Sequence, residues 1–389
     1  MVFFRRPLFS TLIAAFVLTG CSGCIEDAQR RDEAIMAKAR GETETTPATA
    51  APADCPEADC LTSFFTKSLH YTGEGMRYWY EEEGGFMEIT GIPYDELDCK
   101  TCHIQSCDRC HAKNIHEEKK KFSEKTAKSM NTCMPCHGRE GLTFKFDGEM
   151  DRMDVHIAAG MVCADCHYRS DVHGDGRFRQ SMRHPKSIRV TCEECHVNQE
   201  MASPAFDPGT ESHSVHGDRL TCTACHMSNA TACMNCHFDQ FLETGQRKGN
   251  FLPMKDWMLL VNYEDQVTAG TAMTLVYQNN PFLAYAPYFT HSITSEGRAC
   301  EDCHDNAAVR RIADGETVPV VGFEDGAVKP WEGVVPLIPE GLKFVYLNRT
   351  DAGWEPIPGD PEPMVQYAAY GEPLTAEQFD MLAMPMGAE

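Results

Sequence analysis

Positive charge is scarce in this chain of 389 residues: 35 Lys and Arg stand against 58 Asp and Glu, a formal net charge of −23 at pH 7. Such a surface repels phosphate backbones, which excludes a nucleic-acid binder built on basic contacts. It favours basic or cationic partners, although solubility alone accounts for it equally well. A second apolar segment of spanning length is also missing. The apolar run that exists opens the chain, in MVFFRRPLFSTLIAAFVLTG, residues 1–20, behind Arg5 and Arg6. It is shorter than the roughly 20 apolar residues of a membrane-crossing helix. A charged start followed by a short apolar core reads as a secretory signal. Its removal takes two arginines away and leaves a net −25.

Cysteine, by contrast, is abundant, with 20 residues beside 16 histidines. Sixteen of the cysteines fall into eight copies of Cys-x-x-Cys-His. In chain order these are Cys99, Cys102 and His103; Cys107, Cys110 and His111; Cys133, Cys136 and His137; Cys163, Cys166 and His167; Cys192, Cys195 and His196; Cys222, Cys225 and His226; Cys233, Cys236 and His237; and Cys300, Cys303 and His304. The pattern is the attachment signature of a c-type haem. Residues i and i+3 share one face of a helical turn, so two thiols there can form thioethers to the two vinyl groups of one porphyrin. The adjoining histidine then ligates the iron through one ring nitrogen, while the other N–H is fixed by a backbone carbonyl. Zinc sites and disulfides also use paired cysteines, but neither requires a histidine directly after every second one. No copy lacks its histidine, and none ends in lysine.

Polypeptide is in short supply around these motifs. Residues 99–304 offer about 26 residues for each of eight porphyrins, too few for a separate aliphatic core around each. The porphyrins are therefore expected to pack on one another, and the apoprotein is expected not to fold compactly. Four peptide steps join His103 to Cys107, so their Cα atoms lie within roughly 14 Å and the two macrocycles are neighbours. Eight irons have sixteen axial positions, and the chain has sixteen histidines. The eight outside the motifs are His70, His116, His156, His173, His184, His213, His216 and His291, candidates for the distal positions of bis-histidine irons. His156, His184, His216 and His291 each lie shortly before a motif, where a ligand often serves a neighbouring haem. His213 and His216 are so close that one is a candidate bystander. A His/Met iron among the 20 methionines is the alternative ligation. Six-coordinate haem suits electron transfer, whereas an enzymatic haem needs an open site.

The fold expected is mainly irregular, with short α-helices around a packed haem chain and a small antiparallel β-element near 255–292. Residues 21–60, rich in Ala, Thr, Glu and Pro, read as a flexible tether. Residues 61–304 are the octahaem core. Within it, SFFTKSLH and MRYWYEE read as helical and GGFMEITG as extended. Residues 238–299 form a haem-free, β-rich insertion whose runs WMLLVNY, TAMTLVY and FLAYAPYFT are β-branched and aromatic. Residues 305–389 read as a proline-rich tail with short strands that wraps the core. Cys55 and Cys60 suit a local disulfide, and Cys24 has no obvious partner.

Leu18-Thr19-Gly20-Cys21 resembles the lipobox of bacterial lipoproteins. The resemblance implies cleavage before Cys21 and lipidation of that residue, and Ser22 after it fits transfer to the outer membrane. The chain as a whole resembles multihaem c-type cytochromes of anaerobically respiring bacteria. The residues that carry this are SLHYTGEGMRYWYEEEGGFMEITGIPYDELDCKTCHIQSCDRCH and APYFTHSITSEGRACEDCH. It is similar, more loosely, to the octahaem hydroxylamine oxidoreductase and tetrathionate reductase group. The resemblance implies an exported electron conduit in the periplasm or at the cell surface, with redox proteins or its own copies as partners. The alternative it implies is an octahaem enzyme that reduces a nitrogen or sulfur oxyanion at one open haem. No catalytic motif of that group is recognisable here.

Overall fold

A computed structural model of the chain describes residues 63–97, 104–114, 116, 119–184, 187–198, 203–244, 251–288, 291–350 and 353–384. The leader, Cys21, Cys24 and the Cys55 and Cys60 pair lie outside the described residues. So does the whole of the first motif, Cys99, Cys102 and His103. Everything described belongs to one compact unit, Ala58–Glu389. Two kinds of structure divide it.

From residue 63 to 226 the chain is a succession of short helices. Several are single turns, such as Leu69–Thr72, Met87–Thr90, Val155–Ala158 and Cys163–Cys166, and Gly138–Glu149 is the longest at 12 residues. Isolated helices of this length do not persist in water; side-chain caps open some of them. Ser68 accepts the backbone N–H of Tyr71, and Asp154 accepts those of His156 and Ile157. Gly91 closes Met87–Thr90 in the left-handed region at φ 64°, where glycine carries no Cβ penalty. That helix corrects the extended reading of GGFMEITG. The glycines there act as turn and cap, and Thr90 bonds the Tyr80 hydroxyl at 2.5 Å, which fixes the turn against helix Glu74–Glu81. Buried apolar side chains are sparse across this region: between 104 and 226 they are Ile104, Ala112, Phe146 and Ala224 among the described residues.

From residue 227 onward the chain is β-rich. Strands β1 (Ala232–Met234), β2 (Cys236–His237) and β3 (Leu252–Met254) lead into β4 (Trp257–Tyr263), β5 (Gln266–Tyr277) and β6 (Asn280–Pro287). The last three form an antiparallel meander in the register Leu259↔Gly270 and Met273↔Ala284. Its two connections, Glu264-Asp265 and Gln278-Asn279, have both residues at positive φ, the two-residue turn whose twist matches paired strands. The C-terminal segment then adds β7 (Val318–Glu324), β8 (Ala327–Pro330), β9 (Gly333–Pro336), β10 (Leu342–Phe344), β11 (Leu347–Thr350), β12 (Gly353–Pro356) and β13 (Met364–Tyr367). Of these, β9 lies parallel to β4 and β13 parallel to β6, while β2 lies parallel to β5. The result is a six-stranded mixed sheet, larger than a local antiparallel element because the tail completes it. β7, β8 and β10 form a second sheet, and β11 with β12 a hairpin.

Both faces of the main sheet are covered, which is why β4 reads as a continuous apolar run. Trp257, Leu259 and Val261 of β4 point into a cluster with Val318, Val320, Leu337 and Ile357. Met258 and Leu260, on the opposite face, pack with Ala224, Met227, Val309 and Leu374, and Cys303 lies against them. This second face anchors the helices of the sixth and eighth motifs. A buried polar seam ties the long helix in: Asp147 accepts from Asn229 Nδ2 at 2.7 Å and from Ser292 Oγ at 2.8 Å.

Candidate functional site

Six motifs adopt one local form, in which the first cysteine opens a helical turn and the histidine closes it. The backbone N–H of His111 donates to Cys107 O at 2.9 Å, His137 to Cys133 at 3.0 Å, His167 to Cys163 at 2.9 Å and His304 to Cys300 at 2.8 Å. The fifth and sixth motifs are the helices Cys192–His196 and Cys222–His226 themselves. In the fourth and eighth, the third residue caps its own turn: Asp165 accepts Val162 N–H at 2.7 Å and Asp302 accepts Ala299 N–H at 3.1 Å. Each turn puts both sulfurs on one face, the arrangement that two thioethers to one porphyrin require.

Every one of these six motif histidines faces a second histidine from elsewhere in the chain. The ring centroids of His111 and His173 are 6.0 Å apart, those of His137 and His70 6.0 Å, and those of His167 and His291 6.1 Å. His196 faces His156 at 6.2 Å, His226 faces His213 at 6.2 Å, and His304 faces His216 at 6.1 Å. These separations test whether an iron fits. A five-membered ring with bonds of about 1.33 Å places its nitrogen about 1.1 Å from its centre. With metal–imidazole bonds of about 2.0 Å on each side, two axial rings stand about 6.2 Å apart. The six pairs therefore fit an iron between them, and the paired thiols beside each fit its porphyrin.

In eight of the twelve rings the nitrogen not needed for iron is tied down. Nδ1 of His70 donates to Val172 O at 3.1 Å, that of His196 to Pro204 O at 2.8 Å and that of His226 to Thr294 O at 3.1 Å. His213 and His216 donate to Asp207 O and Ser212 O, each at 2.8 Å. His304 donates to Met381 O at 3.1 Å, and the next backbone N–H, that of Asp305, reaches Leu382 O at 3.0 Å. Two are held by carboxylates: His156 by Asp154 at 3.2 Å and His291 by Glu140 at 2.7 Å. Such partners fix the tautomer and orient Nε2. Burial and the facing imidazole hold His70, His167 and His173 below the ordinary histidine value, so their lone pairs are free at neutral pH. The hydrogen bond that His156 donates to Asp154 raises His156, and the one that His291 donates to Glu140 raises His291. Burial works to raise Glu140, but His291, Arg139 and His137 together outweigh it and hold the carboxyl low.

The motifs are also neighbours. The Cys133 and Cys163 thiols share a hydrogen bond, which holds Cys163 down to about 6 and drives Cys133 far up. Cys192 and Cys222 form a second such contact. Cys110 lies within electrostatic reach of Cys136, Cys166 of Cys195, and Cys225 of both Cys300 and Cys303. Thioethers do not titrate, so these shifts matter here as marks of proximity. The fourteen described motif cysteines are unbridged. Among the described residues no three His, Cys, Asp or Glu side chains gather as a metal cluster.

The remaining candidates stand differently. Cys99, Cys102 and His103 fall outside the described residues, so the fourteen cysteines above belong to the second to eighth motifs. His213 and His216 each face a motif histidine, His226 and His304. His184 is buried, and His116 sits at an exposed turn where its N–H donates to Asn114 at 3.0 Å. The seventh motif is not a helical turn: Cys233 lies in β1 and Cys236 and His237 in β2. Asp154, Glu140 and Gly297 were not singled out by their sequence context. Asp154 was recoverable as a helix cap two residues before a histidine. Glu140 meets His291 across 151 residues, with no local signal.

Covalent haem on paired thiols, with an imidazole on each face, is the chemistry of a multihaem c-type cytochrome, a class that transfers electrons. Residues 155–238 match the cytochrome c3 family model, a match that supports this class and covalently bound haem c. No curated protein and no solved structure matches the chain.

Proposed function

We propose that the chain is an exported electron conduit whose haem c groups stand in single file. The order is second, third, fourth, fifth, sixth and eighth motif. What carries the reading is the set of six motif histidines, each facing a second imidazole at 6.0 to 6.2 Å. The sulfur neighbours named above support the order, since each links one motif to the next. The scarcity of buried apolar side chains between 104 and 226 supports porphyrins as the missing core. Bound haem supplies reversible one-electron chemistry; the protein's part is to hold both axial nitrogens still, so that the redox change needs little rearrangement. The leader and Cys21 support export and a lipid anchor in the periplasm or at the outer membrane. Among the described residues no helix is long and apolar enough to cross a membrane. The acidic surface favours a basic redox partner. Electron paramagnetic resonance of the oxidised protein, with carbon monoxide added to the reduced form, tests the reading. Low-spin signals with no carbon monoxide binding are expected from the six paired sites. A high-spin, carbon-monoxide-binding haem at any of them overturns the conduit reading in favour of an enzyme.

A further inference from the structure

The seventh motif departs from the six paired ones in its backbone path and in which nitrogen of its histidine is committed. Instead of a helical turn closed by the histidine N–H, Cys233 and His237 are sheet residues. Cys233 pairs with Pro253 of β3, Cys236 with Leu275 of β5 and His237 with Val276. Between the two strands, Asn235 sits in the left-handed region at φ 53° and is 1% exposed. Its N–H donates to Thr274 Oγ1 at 2.6 Å, and its side-chain oxygen accepts the N–H of Leu347 at 3.0 Å. Beside it, His237 Nε2 lies 2.8 Å from the Leu347 carbonyl. A carbonyl only accepts, so this nitrogen carries the hydrogen. A ring nitrogen that carries a hydrogen has no lone pair to give a metal. In the six paired motifs it is Nδ1 that carries the hydrogen wherever its bond was described above, which leaves Nε2 for iron. Trp354 of β12 packs on the His237 ring at 5.6 Å. Asn235 and His237 thus grip both backbone polar groups of Leu347.

We infer that Cys233–His237 is not a haem site. It is the clamp that fastens the β11–β12 hairpin to the main sheet, and Cys233 and Cys236 carry no thioether. The motif's sequence pattern is the same as the other seven, but its backbone path and its iron-side nitrogen are committed to the sheet. The mature chain then holds one haem fewer than it has motifs, and the single file passes from the sixth motif to the eighth. This inference rests on the haem reading of the other motifs, and the experiment separates the two.

The secreted full-length protein is reduced, denatured, alkylated with iodoacetamide and digested, and each motif peptide is weighed. The expected result is that Cys233 and Cys236 are alkylated while the peptides of the paired motifs carry haem. Haem on the Cys233–Cys236 peptide overturns the inference and leaves the conduit reading intact; absence of haem from every peptide overturns both. A second measurement is independent of mapping. His237→Gln keeps a side-chain N–H for Leu347, so the haem-to-protein ratio and the low-spin spectrum are expected to match the parent chain. His237→Ala is expected to lower the melting temperature with the same haem content. Loss of one haem, or a new high-spin signal in His237→Gln, marks His237 as an iron ligand and overturns the inference.

Discussion

Glu140→Gln is expected to raise the reduction potential of one haem, that of the fourth motif, by about 50 to 100 mV. The carboxylate lies 2.7 Å from His291 Nδ1 and its side chain is 19% exposed. Adding the width of the imidazole and a metal–nitrogen bond of about 2.0 Å puts the negative charge about 7 Å from the iron position. At an effective dielectric near 20, a unit charge at that distance changes the energy of a one-electron step by about 2.4 kcal/mol, and by about half that with solvent screening at the exposed edge. At about 59 mV per tenfold change for one electron, the range follows. The direction is upward because the lost charge stabilised the oxidised iron. Glutamine keeps an acceptor for Nδ1, so ligation and the low-spin spectrum are expected to persist. The assay is a spectroelectrochemical titration read by the low-spin resonances. Glu149→Gln is the control: it sits at the far end of the same helix, salt-bridged to Lys255 at 3.1 Å, and should move no component by that amount. A titration of Glu140→Gln that superimposes on the parent, or shifts downward, refutes the reasoning.

Four further outcomes rest on packing and burial. Asp147→Ala removes the buried acceptor that Asn229 and Ser292 share and is expected to cost about 1 to 3 kcal/mol in denaturant unfolding, whereas Asp147→Asn keeps an acceptor and should cost less. Burial pushes the Asp147 carboxyl above its ordinary 3.8 despite those hydrogen bonds, so the folded chain holds this proton more tightly than the unfolded one. Stability should therefore fall as pH rises from 3.8 through the raised value, and Asp147→Asn should remove that part of the slope in a pH series of melting temperatures. Gly270→Ala drives a Cβ into Val261 Cγ1 and to 3.1 Å from Ala286 O, and should destabilise the sheet by about 1 to 3 kcal/mol with haem spectra unchanged. Gly297→Ala brings a Cβ 2.9 Å from Cys225 Sγ and 4.0 Å from His226 Nε2, and is expected to shift the resonance of one haem while the melting temperature changes little.

What was legible in the sequence and what was not divide along physical lines. Cys-x-x-Cys-His is a one-turn device, so spacing alone indicates where both sulfurs of the six helical motifs point. It also made the seventh motif look like its siblings, because nothing local says that Asn235 takes a left-handed turn or that Leu347, 110 residues on from His237, claims its nitrogen. The run at 257–263 was readable as strand because both its faces are buried; β9 and β13, of four residues each, were not, because their partners lie 76 and 82 positions earlier in register. Histidine pairing was beyond reach for the same reason. His156 precedes the fourth motif by seven residues yet faces His196, and His291 precedes the eighth yet faces His167. Counting supplied the candidates; only the fold assigns each a counterpart.

The last helix, Ala376–Ala383, matters to that fold for a reason of timing. Its Met381 carbonyl orients the imidazole of His304, and its Leu382 carbonyl receives the following N–H. In the proposed file the group on the eighth motif would thus be steered by a segment synthesised 77 residues later. A truncated chain lacks that steering, so the surroundings of His304 are finished only when the polypeptide is.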